Sequence, residues 1–277
     1  MAITNFIPTL WSETLYTELE KDYVGVRLCS RDFEGEIRGE GDRVKICGVG
    51  PVTVFDYKKN QDMPAAEVLS DTERTLVIDQ AKGFNFFLDS IDLAQSKKGL
   101  MQAAMKEASG ALSDVADRFV YSLTDENVEE VTNDNVTSAS IISTLADARR
   151  ILMEHNVPNS AKISLEVPPA IEQKLVLAKV LRSTDNVEAL GRGYIGSFMG
   201  FDVYVSNNIQ KEGDAFRCIA RTGRAIAFAE QVSAVKAYEP ELRHGDAVKG
   251  LHLYGAKIVY PKEMVFLTLT PGEETQI

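Results

Sequence analysis

Between residues 93 and 123 apolar side chains return at steps of three and four: Met101, Ala104, Met105, Ala108, Ala111, Leu112, Val115, Phe119 and Leu123. That spacing places them on one face of an α-helix. At 1.5 Å per residue such a helix spans about 45 Å, more than a small domain is wide. A rod of this length limits the rest of the chain, because its apolar face must be covered by elements drawn from elsewhere in the sequence. Gly99 and Gly110 weaken it and permit bending.

The cover is expected from residues 232–270. Leu251, Leu253 and Val259 alternate there with His252, Tyr254, Ile258 and Tyr260, and Val265-Phe266-Leu267-Thr268-Leu269 follows. This is a β-dominated pattern. Residues 125–230 read as mixed α/β. Ser138 or Ser140 is placed to cap a helix carrying Ile141, Leu145, Ala148 and Leu152, with Asn156 near its end. Lys162–Val167 reads as a strand, and Pro168-Pro169 opens a second helix, Ala170–Ala178. Phe201–Val205 and Phe216–Ala220 read as strands, and Arg224–Glu230 as a short helix or a strand.

Ahead of the long helix the chain is less self-sufficient. Residues 1–8 read as an extended arm, followed by a short helix with Trp11, Leu15 and Leu19 on one side. Residues 31–46 are rich in charge and glycine, and Gly48-Val49-Gly50-Pro51 leads into a β-like run, Val52–Tyr57. We read 31–80 as a long projecting hairpin, with a floppy surface loop as the alternative. A two-stranded hairpin is marginal alone, so it needs outside support, for which a neighbouring subunit is the natural source.

Composition narrows the function classes. The chain has 277 residues, of which 44% are hydrophobic and 26% charged, enough to bury a good core. Thirty basic against 41 acidic side chains leave a net charge of -11, which opposes nucleic-acid binding by the chain as a whole. Cys29, Cys47 and Cys218 are odd in number and widely spaced, so no disulfide framework is expected and a reducing compartment fits. No signal-peptide pattern and no apolar run of about 20 residues occurs, which points to a soluble protein made inside the cell.

The search for chemistry is empty. His155, His244 and His252 show no metal-ligand spacing, and His252 reads as a packed or partly exposed neighbour of the core. Gly191-Arg192-Gly193-Tyr194-Ile195-Gly196 matches G-x-G-x-x-G by letters. A dinucleotide site needs that run between a strand and a helix, and here a strand follows it, so a flexible turn is the better reading. The Asp125-Glu126 and Glu129-Glu130 cluster lacks the spacing of a calcium loop and reads as a solvated face. No cofactor, no metal and no catalytic residue is expected.

The order of parts is itself informative: arm, charged hairpin, long helix, α/β centre, returning strands. It resembles a tailed-bacteriophage major capsid (coat) protein with the HK97-like fold, over nearly the whole chain. Asn5-Phe6-Ile7-Pro8-Thr9-Leu10-Trp11-Ser12, Arg31-Asp32-Phe33-Glu34-Gly35-Glu36-Ile37 and Gly41-Asp42-Arg43-Val44-Lys45-Ile46 resemble the short-tailed-phage branch. The resemblance implies an α+β fold with an arm (1–30), an extended loop (31–80), a peripheral domain with a spine helix (81–129), an axial domain (130–231), and returning peripheral strands with a tail (232–277). It implies contacts between copies through Phe6, Trp11, Arg31, Glu34, Glu36, Arg38, Arg43, Lys45, Tyr57, Lys58 and Lys59, and an axial loop at Gly191, Arg192, Gly193 and Tyr194. Hexamers and pentamers, a separate scaffolding protein, a portal, decoration proteins and weak contact with packaged DNA are the partners it implies. Assembly is expected in the host cytoplasm, giving a virion shell. An encapsulin-like compartment shares the fold. A nucleotide-dependent enzyme and an adhesin are rivals from other classes.

Overall fold

The computed structural model describes residues 23–32, 43–49, 56, 59, 71–89, 100–179, 181, 193–240 and 245–274. The expected arm with its short helix, the Val52–Tyr57 run apart from Asp56, and the 93–99 start of the long helix lie outside them.

The chain forms two main cores, one on each side of a large sheet. Strands β1 (Arg43–Val49) and β2 (Asp71–Val77) pair as an antiparallel hairpin. β3 (Gln80–Asp89) lies beside β11 (Gly245–Ile258), which pairs with β10 (Ile226–Tyr238), giving a three-stranded antiparallel sheet. Helix α1 spans Leu100–Ser122, about 34 Å at the α-helical rise. It covers one face of that sheet, with Met105, Leu112, Ala116 and Val120 packed among Phe228, Val248, Tyr254 and Ile258. The helix and the strands that bury it are thus the ones the sequence patterns indicate.

The buried face of α1 is rotated from the expected one. Ala111 and Val115 are exposed, whereas Ser109, Ser113 and Asp117 are buried. Apolar spacing finds the helix but cannot register polar groups that enter its contact face to satisfy another segment. Leu123 is partly buried just past the helix end, where Arg217 donates to the carbonyls of Tyr121 and Leu123 at 2.8 and 3.1 Å. A guanidinium at a helix C-terminus satisfies orphan carbonyls and opposes the dipole.

The second core lies on one face of a seven-stranded sheet. Its path runs β4 (Glu129–Val136), β12 (Met264–Pro271), β9 (Ala215–Thr222), β5 (Ile163–Val167), β7 (Phe201–Val205), β6 (Tyr194–Phe198), with β8 (Lys211–Glu212) beside β9. Helices α2 (Ile141–Glu154) and α3 (Pro169–Leu177) cover one face through Leu145, Ala148, Leu152, Ile171 and Leu175. β12 serves both cores. Val265, Leu267 and Leu269 point to the α2–α3 side, and Met264 and Phe266 to the α1 side, as the period of two along a strand requires.

Local signals are borne out here. Asn156 adopts φ 60° after α2, and Val157 N–H bonds back to the Leu152 carbonyl at 3.1 Å, the left-handed ending that asparagine tolerates. Pro169 opens α3, and Phe201–Val205 is a strand as read. The segment from Ile226 is a strand, not a helix. Ser140 sits at the N-cap of α2, but its hydroxyl accepts from Thr137 N–H at 3.0 Å instead of from the helix. The Ile141 N–H has already closed on the Thr137 carbonyl at 3.1 Å.

The hairpin differs from the sequence reading in two ways. The partner of Arg43–Val49 is Asp71–Val77, not the nearer Val52–Tyr57 run. Its base is also supported within the chain: Val44, Ile46, Leu76 and Ile78 bury against Ala227, Ala229, Leu253 and Val259, on the sheet face opposite α1.

Candidate functional site

The densest polar construction among the described residues holds the segment Tyr23–Arg31, which enters the body between the arm and the hairpin. This root has little regular structure, a single 3-10 turn at Val26–Leu28. Its backbone groups therefore need partners from elsewhere. They come from three places.

The first is α1. Asp117 accepts from the N–H groups of Val24 and Val26, both at 2.9 Å, one on each carboxylate oxygen. Burial pushes the Asp117 carboxyl up to about 6 despite those bonds. Close approach is needed, and Gly25 allows it: a Cβ there would lie 2.9 Å from the Tyr121 ring.

The second is the seven-stranded sheet. Arg221 on β9 donates to the Gly25 carbonyl at 2.7 Å, the Leu28 carbonyl at 3.2 Å and the Cys29 sulfur at 3.1 Å. Its Nε pairs with Glu166 of β5 at 2.7 Å, and both side chains are 0% exposed. Burial raises the Cys29 thiol against the pull of Arg221, so Cys29 is a buried, inert sulfur rather than a nucleophile.

The third is the three-stranded sheet. Glu230 on β10 accepts from the Tyr23 hydroxyl at 2.7 Å and bonds His252 Nε2 of β11 at 2.8 Å, and Arg31 forms an ion pair with it at 3.1 Å. Burial works against the Glu230 charge, but His252, Arg31 and Tyr23 outweigh it and hold the carboxyl below its ordinary value. Burial, then the Glu230 charge, push the Tyr23 phenol up, so it stays a donor. Ser30 completes the attachment by exchanging backbone bonds of 2.9 Å with Ile226 and Phe228.

None of these charges figured among the sequence-level candidates except Arg31. A usable signal existed: Glu230 ends the apolar run Ala225–Ala229, Glu166 sits inside Ile163–Val167, and Asp117 falls in phase with Leu112, Ala116 and Val120. Of the named contact residues, Arg31 turns inward to Glu230, Arg43 and Lys45 are exposed on the outer face of β1, and Lys59 is exposed. Phe6, Trp11, Glu34, Glu36, Arg38, Tyr57, Lys58, Gly191 and Arg192 lie outside the described residues. Gly193 (φ 78°) makes the turn into β6, where Tyr194 rests against Tyr204 at 5.4 Å between centroids. A strand follows the glycine run, so the helix N-terminus that a dinucleotide requires is not there. His252 is fully buried. Among the described residues no group of His, Cys, Asp and Glu is arranged to hold a metal ion, and no helix is long and apolar enough to cross a membrane.

The most elaborate polar site among the described residues thus grips the protein's own backbone, an arrangement suited to a structural subunit, and the comparisons supply the family. The profile of the family described as "Phage capsid protein" matches residues 72–266, and the chain belongs to that family. Its fold is similar to a chain of Mycobacterium phage Che8, with 28% identity, a TM-score of 0.69, and coverage of 96% of this chain and 98% of that one. The capsid of Ralstonia phage GP4 gives a TM-score of 0.69 at 10% identity, covering 92% and 91%. A virus-like particle from Pyrococcus furiosus gives 0.59 at 14% identity, covering 94% and 98%. No curated protein matches the sequence. The chain is thus a major capsid protein of the HK97-like α+β fold, a self-associating, non-catalytic component of the icosahedral shell of a tailed phage.

Proposed function

We propose that the subunit builds its shell through hexamers and pentamers in which the hairpin and the arm reach onto neighbouring copies. The observation that carries this is the two-faced hairpin base. Val44 and Ile46 are buried on the subunit's own sheet, whereas Arg43, Lys45 and Val77 are exposed on the other side. Tyr57, Lys58 and Lys59 fall in the sequence between the two strands. Head-to-tail contacts of this kind close into rings, and many modest contacts sum to a durable shell.

Within this reading, Phe6 and Trp11 on the arm and Glu34, Glu36 and Arg38 on the loop touch neighbours, and Gly191–Tyr194 forms a loop near the capsomer axis. We assign the sheet of β3, β10 and β11 with α1 to the peripheral domain, and most of the seven-stranded sheet to the axial one. A separate scaffolding protein, a portal and decoration proteins complete the particle. The sequence words around Asn5–Ser12 and Gly41–Ile46 support the short-tailed branch. The net charge of -11 keeps packaged DNA from adhering to the wall. The cellular-compartment alternative shares the fold, but the arm and the opening words Asn5–Ser12 argue against it.

Charge reversal of Arg43 and Lys45 together tests the proposal. The expected result is a folded subunit that no longer yields closed shells by electron microscopy. Shells at wild-type yield would refute the hairpin's role.

A further inference from the structure

Two elements proposed to leave the subunit, the arm and the hairpin, emerge from opposite ends of one short root, Tyr23–Arg31. The two ends and the middle of that root are tied to different bodies: the three-stranded sheet holds Tyr23, Ser30 and Arg31, and α1 and the seven-stranded sheet hold Val24–Cys29. The direction in which arm and hairpin depart is therefore set by this root and not by their own length.

The two charged ties are not equivalent. Arg221 and Glu166 are both 0% exposed, so neither can lose its partner without leaving a bare charge in the interior, which is strongly destabilising. Glu230 is also buried, but Arg31 keeps 27% of its side chain exposed and can turn into water. Tyr23 is neutral. Breaking the Glu230 tie thus lets Arg31 reach water, while His252 stays buried beside the carboxylate. The other groups facing Glu230 are His252 on β11, with the Tyr254 ring 4.8 Å from the imidazole.

We propose that Tyr23–Arg31 is a charge-locked fixed point that aims the arm and the hairpin, with Glu230 as its release point and Glu166–Arg221 as its permanent tie. Loss of the Glu230 charge frees the root while both sheets stay folded. The aiming role rests on the shell-building contacts proposed above; the lock does not.

Hydrogen–deuterium exchange on the full-length unassembled subunit tests the lock. In Glu230→Gln, amides of residues 24–31 are expected to exchange about tenfold faster than in wild type, and in Tyr23→Phe about threefold faster, with β5 unchanged in both. Should Glu230→Gln not fold, Tyr23→Phe alone decides. Unchanged exchange at 24–31, or equal acceleration in β5, would overturn the lock. Shell yield by electron microscopy tests the aim: Glu230→Gln is expected to give about tenfold fewer closed shells. Faster exchange with an undiminished yield would overturn the aiming role. Absence of shells from wild-type protein would count against the shell-building contacts while leaving the exchange result standing.

Discussion

The root of the arm and the base of the hairpin do similar work by opposite physics. Both fasten a departing segment to the same three-stranded sheet, one near each face. The root is held by carboxylates and guanidinium groups aimed at individual backbone atoms. The hairpin base is held by Val44, Ile46, Leu76 and Ile78 against Ala227, Ala229, Leu253 and Val259, with no charge buried between them. Apolar burial is non-directional and tolerates small shifts. A bidentate carboxylate does not, and its strength changes with protonation. The molecule thus has one attachment that fixes a position and one that fixes only a face.

Predictions that strain this contrast can be ranked. Glu166→Gln, which leaves the Arg221 charge buried without its counter-ion, is expected to cost about 3–5 kcal/mol in denaturant unfolding. Replacing both residues by apolar ones of similar size should restore part of that loss, short of the bonds to Gly25 and Leu28. Leu76→Ala at the hairpin base is expected to cost about 2–4 kcal/mol, by similar amounts at pH 5 and pH 8, because the cluster it opens is built of apolar side chains. The root should behave otherwise. The Asp117 carboxyl sits at about 6 when folded against 3.8 when free. A raised folded value means a contribution fully present below 3.8 and lost as pH rises through 6, of about 2–3 kcal/mol at full span. Wild type should therefore gain stability between pH 7 and pH 5 from this group, and Asp117→Asn should flatten that slope. The smallest effect is expected at the surface: Arg150→Ala removes ion pairs to Asp147 and Glu154 whose partners are more than half exposed, and should leave the denaturant midpoint within error of wild type.

What the sequence revealed, and what it hid, follows the same division. Asn156, Pro168-Pro169 and the alternation at Phe201–Val205 are local signals, and the elements they announce are present. The presence of α1 and its burial by β10 and β11 were legible because a long apolar face demands a partner. The hairpin's true register was not, since Val52–Tyr57 and Asp71–Val77 are both plausible strands and only the docking of Leu76 and Ile78 separates them. Least visible was the root. Asp117, Glu166, Arg221 and Glu230 come from four separate elements, and each alone looks like an ordinary polar residue in a helix or strand. Their meaning is set by the segment that they surround.

β12 carries one more consequence. Its side chains alternate between the two main cores, and it lies between β4 and β9 in the large sheet. Neither hydrophobic interior is complete without this strand. A substitution on either of its faces therefore weakens a wall common to both halves, and the two halves are expected to unfold together instead of one after the other.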